Sequence, residues 1–363
     1  MTRIYKQKNV LEAAKERINW IFDNFENVSV SVSGGKDSSV VFDLCHKEAT
    51  KRNRIIECFF LDEEAIYKSS MDIVRAQMDC SNVIKKWYQL PIKHFNATSY
   101  IQDFLYCFNG KDEPLHGYQS DSIRSCKYTE GGGDRFYGFL KWYPSTFKVK
   151  TALIVGLRSA ESLNRYRAVT KNASIDGINW STKTDNQLAH NLYPIYDWGF
   201  DDIWRYIYDN NVNYSKIYDY QFAKKYHKTE MRVSSLLHEM SFKSLVDLPE
   251  FEPETYDKLS SRIEGVNTAR IYAKEKLMYS VDKLPTKFAD WISYKNFLLE
   301  NHPNKKYKEI YKNKFKNQPI DNDVAKQQVR QILINDWENT AIQIDTEKQE
   351  KRQQNKQKWL KIL

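Results

Sequence analysis

Residues 28–41 read VSVSVSGGKDSSVV, and the reading of this stretch decides the fold. Valine and serine alternate up to Ser33, the period-2 pattern of a strand with one apolar face. The alternation stops at Gly34-Gly35-Lys36-Asp37-Ser38. The segment 36–50 then places Val40, Val41, Leu44 and Cys45 on one helical face. Strand, glycine turn and helix in direct succession expose main-chain N–H groups beside a helix N-terminus, an arrangement suited to anions. Gly34 and Gly35 let phosphate oxygens approach the backbone. Ser33 and Ser38 add hydroxyls, Lys36 adds a full charge, and Asp37 is placed to orient the turn or a magnesium ion. An ordinary tight turn would use the same glycines.

Outward from this turn the pattern repeats. A helix is expected at about 9–25, and a buried strand at 55–61 ends in the acidic turn Asp62-Glu63-Glu64. A helix at about 66–80 and a strand-like run in KKWYQLPIKHF follow. The polar stretch 109–148 reads as an active-site insertion. Ala152–Val155, apolar without alternation, reads as a strand covered on both faces. Strands alternating with helices predict an α/β fold, a parallel sheet with helices on both faces. Ligands of such sheets sit beyond the carboxyl ends of the strands. The turn at 33–38, the acids at 62–64 and Arg158 are therefore expected at one edge. A helix is expected at about 201–210. The region 216–363 is expected to be a mainly helical, basic C-terminal extension, broken near Pro249 and Pro253, after a nucleotide-binding domain over 1–215.

The 363 residues can bury a full core, and 41% hydrophobic and 14% aromatic content excludes a disordered chain. A net charge of +9 favours a polyanionic partner. No apolar run reaches the roughly 20 residues that span a bilayer. The N-terminus lacks the apolar core of a secretory signal. Cys45, Cys58, Cys80, Cys107 and Cys126 form no C-x-x-C, so neither a disulfide framework nor a zinc site is indicated, and a reducing cytoplasm is expected. The segment 304–316 interleaves Tyr307, Tyr311 and Phe315 with six lysines. That pattern suits a nucleic-acid backbone with stacked bases, or equally a packed helix with solvated lysines. His238-Glu239 has no second histidine four residues on and is no zincin site. Trp198 and Trp204 read as packing residues, and the tail 346–363 as a solvated helix or a partner contact.

The turn is neither a Walker A loop, which needs Ser or Thr after the lysine, nor a G-x-G-x-x-G dinucleotide turn. It resembles the PP-loop, S-G-G-x-D-S, of the ATP-pyrophosphatase and phosphoadenosine phosphosulfate (PAPS) reductase superfamily. A second segment, GLRSAESLNRYR at 156–167, resembles the G-x-R-x-x-E-S-x-x-R element of PAPS reductases. The resemblance implies an adenine nucleotide alpha-hydrolase-like fold that binds ATP with magnesium, or PAPS, and cleaves ATP between its α and β phosphates. It makes Ser33, Gly34, Gly35, Lys36, Asp37 and Ser38 phosphate ligands. Arg158 and Arg165 become oxyanion ligands and Glu161 their orienting partner; a helix surface with Glu161–Arg165 pairs is the plainer reading. Lys36, Asp37 and Arg158 are the candidate catalytic residues. Asp62 is a candidate for an adenosine or metal contact, magnesium being expected at Asp37 or Asp62, or else caps a helix.

PAPS reductases carry a catalytic cysteine in a C-terminal segment, and this chain has none after Cys126. PAPS reduction is therefore not expected, nor is an iron–sulfur cluster, and Cys126 is read as structural rather than as a residual sulfur site. The whole chain resembles the IbrA-like group, typically paired with a ParB/sulfiredoxin-like protein, IbrB. Three functions follow: an adenylating enzyme that releases pyrophosphate; a nucleotide-sensing regulator acting with such a partner; or PAPS-dependent sulfur metabolism, including nucleic-acid thiolation.

Overall fold

The computed structural model describes residues 7–99, 101–171, 175, 177–238, 241–272 and 283–338, so the tail 346–363 and Glu239 lie outside the described residues. Two compact units divide the chain. The first is 1–94 with 106–235, and the second is 95–105 with 236–363. The expected boundary at 215/216 falls inside the first unit, which keeps about twenty further residues.

The first unit is built on a six-stranded sheet of β1 (Asn27–Ser31), β2 (Ile56–Leu61), β3 (Val83–Tyr88), β6 (Thr151–Ile154), β7 (Ser181–Lys183) and β8 (Ala189–Leu192). The order is β3-β2-β1-β6-β8-β7. Four pairings are parallel, and only β7 runs antiparallel, to β8. The short strands β4 (Lys93–Phe95) and β5 (Phe104–Tyr106) pair with each other outside this sheet. Four expected strands recur within a few residues, the third divided between β3 and β4. Strands β7 and β8 are additions that the sequence reading lacked.

The alternation in β1 sorts its side chains between two layers. Val28, Val30 and Val32 enter the main core with Ala14, Ile18 and Ile21 of α1 (Val10–Asn24) and with Val40, Val41 and Leu44 of α2 (Lys36–Lys51). Met71 and Val74 of α3 (Lys68–Met78) and Ile203 and Ile207 of α7 (Phe200–Asn210) close the same layer. Trp198 is buried there and its indole N–H donates to the Val10 carbonyl at 3.1 Å. Arg17 clamps α1 to the segment after β8, donating to both carboxylate oxygens of Asp197 and to the Pro194 carbonyl.

The opposite face is covered by the last part of the stretch 109–148, residues 136–146. Phe139 of α5 (Phe136–Trp142) and Tyr143 of the 3₁₀ turn Tyr143–Thr146 stack on Phe59 and Tyr88, with a ring separation of 4.2 Å for Phe59–Tyr143. This part of the expected active-site insertion is thus a structural layer. The chain moves outward from β1 through β2 to β3 and then returns past β1 to β6. A right-handed return on that path has to cross the other face, which is where α5 lies.

In the second unit, Tyr307, Tyr311 and Phe315 of the helix Lys305–Phe315 are buried together with Leu299 and Ile332. Lys312 pairs with Glu309, and Lys308 and Lys314 donate to main-chain carbonyls. The rings of this basic segment are core side chains. Pro249 sits inside the helix Phe242–Phe251, and the break comes at Glu252, with Pro253 opening the next helix. A proline at a first helical position gives up only an N–H that would lack a partner in any case.

Candidate functional site: an anion cavity at the switch point

Strand order reverses at β1, since β2 and β3 lie on one side of it and β6 and β8 on the other. That is where an α/β sheet opens a crevice at the carboxyl ends of its strands. A cavity of about 640 Å³ occupies this place. Its lining includes Ser31 at the end of β1, Ser33 just after it, the turn residues 35–38, and residues 155–158 after β6.

The turn is built to leave main-chain groups facing the cavity. Gly34 has φ +68°, and a Cβ there would lie 2.2 Å from the Ser70 carbonyl oxygen, so only glycine fits. The hydroxyls of Ser33 and Ser38 are 3.0 Å apart, and Ser38 also donates to the Gly35 carbonyl at 2.9 Å. Gly35 caps α2 without a side-chain bond, and the first amide of the helix, that of Lys36, donates to the Tyr218 hydroxyl at 3.1 Å. Gly156 brings β6 against the turn: a Cβ there would come within 2.9 Å of the Ser38 nitrogen.

A ladder of alternating charges runs along the cavity. Lys36 Nζ donates to Asp37 Oδ2 at 3.0 Å, Arg158 Nε to Asp37 Oδ1 at 2.6 Å, and Arg158 Nη2 to Glu161 Oε1 at 2.9 Å. Arg165 of α6 (Leu163–Lys171) pairs with the other oxygen of Glu161. The structure thus brings Ser33, Gly35, Lys36, Asp37, Ser38, Arg158, Glu161 and Arg165 together, with Gly34 behind them as the turn's hinge. Lys36 is only 2% exposed, and burial, against the pull of Asp37, lowers its ammonium below the ordinary lysine value. A buried, partly desolvated ammonium gains more from a phosphate than an exposed one does.

Asp62 stands apart. It ends β2 as expected, but it does not line the cavity. Its carboxylate accepts the Glu64 N–H at 2.8 Å, the Trp87 indole N–H at 3.1 Å and the Gln89 amide at 3.0 Å. Burial raises its pKa, partly offset by these three donors. Asp62 fastens β2 to β3. Cys126 precedes the short helix α4 (Lys127–Glu130), and its N–H donates to Thr129 Oγ1 at 3.1 Å. It too lies outside the cavity lining, as does every residue of 109–148.

Next to Asp62, burial pushes the Glu63 carboxyl up to about 7 and the His94 imidazole down to about 4, with 3.5 Å between Oε2 and Nε2. The native Glu63 holds a proton that the unfolded chain releases above about pH 4.5. Its contribution is therefore complete below that pH and declines as pH rises through 7. Glu63→Gln is expected to remove this decline. Urea midpoints at pH 5 and pH 8 test it, with the variant gaining on the parent only at pH 8.

Several cavity residues have no signature in the sequence. Tyr218 of α8 (Ile217–Ala223) is buried, and its hydroxyl accepts the Lys36 N–H at 3.1 Å. Lys36 Nζ also donates to the Met231 carbonyl at 3.3 Å and lies 5.8 Å from the Phe200 ring centre. Lys228, Arg232 and Val233 complete the wall. A Val-Ser alternation or a glycine pair has a period to read, whereas these residues sit in loops and short turns of aromatic and basic composition.

In total the cavity carries five cations, Lys36, Arg158, Arg165, Lys228 and Arg232, and two carboxylates, Asp37 and Glu161. This excess suits a ligand with several negative charges. Among the described residues no group of three or more His, Cys, Asp or Glu side chains could hold a metal ion, and no helix is long and apolar enough to cross a membrane.

These features define a nucleotide-binding fold of the PP-loop type, with an oxyanion cavity at its switch point. The chain belongs to the phosphoadenosine phosphosulfate reductase domain family, whose model matches residues 27–224, more than half of the chain. Residues 225–362 match a domain of unknown function (DUF3440), the combination found in IbrA-like proteins. The chain is 29% identical over 320 residues to the uncharacterized protein YbdN of Escherichia coli, covering 84% of this chain and 78% of that one. It is 20% identical to adenosine 5'-phosphosulfate reductase of Staphylococcus saprophyticus, over 58% of this chain and 74% of that protein. Similar solved structures include the PAPS reductase of Candida auris in a phosphate complex, 15% identical, with 61% of this chain and 94% of that one covered at a TM-score of 0.32. Another is the FMN adenylyltransferase of Candida glabrata with FMN and the ATP analogue AMPCPP, 15% identical, covering 61% and 64% at a TM-score of 0.33.

Proposed function

We propose that this protein binds ATP with its β and γ phosphates in the turn 33–38 and transfers the adenylyl group to a second substrate, releasing pyrophosphate. The observation that carries this reading is the charge ladder from Lys36 through Asp37, Arg158 and Glu161 to Arg165, placed at the carboxyl ends of β1 and β6. An acceptor atom attacks the α phosphorus, the bond from that phosphorus to the α–β bridging oxygen breaks, and the electron pair leaves on pyrophosphate. Charge therefore grows on the oxygens next to Lys36, Arg158 and the first amides of α2. Fixed donors at that position lower the barrier without reorganising.

Asp37 is the cavity carboxylate that would hold a magnesium ion arriving with the nucleotide, which supplies charge neutralisation for the departing pyrophosphate. Both Asp37 oxygens already accept a cation, so the residues fit an ion carried mainly by phosphates and water rather than a protein-made cage. Asp62, buried and outside the cavity lining, does not fit that role.

The test is to incubate the full chain with α-labelled ATP and a small-molecule cell extract, then separate the products. Labelled AMP or an adenylylated product, with pyrophosphate, is expected. ADP with phosphate contradicts the reading. Tight ATP binding with no turnover favours instead the nucleotide-sensing regulator acting with a ParB/sulfiredoxin-like partner.

A further inference from the structure

We propose that Arg165, Lys228 and Arg232 form a second oxyanion subsite in the same cavity, distinct from the glycine turn, for a phosphate, sulfate or carboxylate group of the bound ligands. The inference rests on the nucleotide reading above and deepens it. It gives a ligand-binding role to Lys228 and Arg232, which lie in the domain of unknown function rather than in the reductase domain.

The argument begins with the cavity's own carboxylates. Asp37 is shared by Lys36 and Arg158, and Glu161 by Arg158 and Arg165, so two anions already serve three cations. Lys228 and Arg232 line the same cavity, and among the described residues neither pairs with a carboxylate. The neighbouring Glu230 carboxylate accepts the His227 N–H at 3.0 Å. Arg232 Nη2 donates to the Thr229 carbonyl at 2.8 Å, which fixes the guanidinium without neutralising it. Arg232 also lies near enough to Arg165 for the two charges to repel.

Their segment is anchored at its C-terminal end. The Arg232 carbonyl accepts from Gln221 at 3.1 Å, and the Met231 carbonyl accepts from Lys36 at 3.3 Å. Lys228 and Arg232 line the same concave wall as Arg165 and bring no carboxylate of their own, so an anion between the three relieves their repulsion. The planar fork of arginine suits an oxyanion. The group can belong to the nucleotide itself or to a second molecule, and the chemistry of the subsite is the same for both.

The experiment is calorimetric titration of the full chain and of Lys228→Gln/Arg232→Gln. Inorganic pyrophosphate is added first, followed by inorganic phosphate on the saturated protein. AMP and adenosine 3',5'-bisphosphate are titrated separately, and a thermal melt confirms folding. In the double variant, phosphate or the bisphosphate is expected to weaken by roughly tenfold or more, the loss of one or two charge-assisted hydrogen bonds. Pyrophosphate and AMP should stay within about twofold. A loss confined to the bisphosphate assigns the subsite to the nucleotide, and a loss of free phosphate assigns it to a second molecule. The proposal is overturned if no ligand is affected, if phosphate only displaces pyrophosphate, or if pyrophosphate weakens as much as phosphate. Failure of the parent chain to bind pyrophosphate overturns the nucleotide reading instead, while the phosphate titration still reports on the subsite.

Discussion

Gly34→Ala is expected to abolish nucleotide binding while most of the fold survives. The methyl group would stand 2.2 Å from the Ser70 carbonyl oxygen, at a φ of +68° that alanine avoids. Main chain cannot swing away from such a clash as a flexible side chain can, so the turn has to move. Backbone held in the left-handed region by a non-glycine residue costs on the order of 1–3 kcal/mol even without a clash. Displacing the turn also separates Lys36 and the first amides of α2 from the phosphate position. Losing two charge-assisted hydrogen bonds weakens binding by about 100-fold or more. Calorimetric titration with ATP, together with a thermal melt, measures both effects. Parent-like ATP affinity in a folded Gly34→Ala protein would show that the turn does not hold the phosphates.

The second large effect is expected at Arg158. Its side chain is 5% exposed and bridges Asp37 and Glu161, so Arg158→Met leaves two carboxylates in the cavity without their common partner. Removing one member of a buried ion pair costs about 3–5 kcal/mol. The exposure of Asp37 and Glu161, 14% and 22%, places the expected loss toward the lower end. Arg158→Met/Glu161→Gln should recover part of the stability, because the carboxylate that has lost Arg158 is gone while Asp37 keeps its bond to Lys36. It should not recover ATP binding, because the oxyanion donor is still missing. Denaturant midpoints and ATP titrations on the parent and both variants separate the two roles. Recovery of binding along with stability would make Arg158 a purely structural residue.

What could be read from the sequence is what has a local period or a local clash. The Val-Ser alternation of β1 sorts the strand's two faces, and the glycine pair marks the turn, because both follow from backbone sterics over a few residues. The apolar runs of β2 and β6 announce strands buried on both sides. Strands β7 and β8 escaped because Ser181–Lys183 and Ala189–Leu192 are mostly polar. Their strand character comes from pairing with β6 and with each other, which no window of sequence contains. The acidic turn misled in a similar way. Asp62 does lie at the carboxyl end of β2, but the fold turns Trp87 and Gln89 of the next strand and loop onto its carboxylate. Tyr218, Lys228 and Arg232 reach the cavity through tertiary placement alone. The aromatic and lysine pattern at 304–316 was legible only as two alternatives, and burial of Tyr307, Tyr311 and Phe315 assigns those rings to the core.

The central claim is that the cavity at the carboxyl ends of β1 and β6 holds the phosphates of a nucleotide. A competition titration tests it most directly: a fluorescent ATP analogue is bound to the full chain and then challenged with pyrophosphate, adenosine and, in a parallel series, Lys36→Ala protein. Displacement by pyrophosphate but not by adenosine at the same concentration, with binding lost in Lys36→Ala, is the result this account predicts. Displacement by adenosine alone, or full binding in Lys36→Ala, would contradict it.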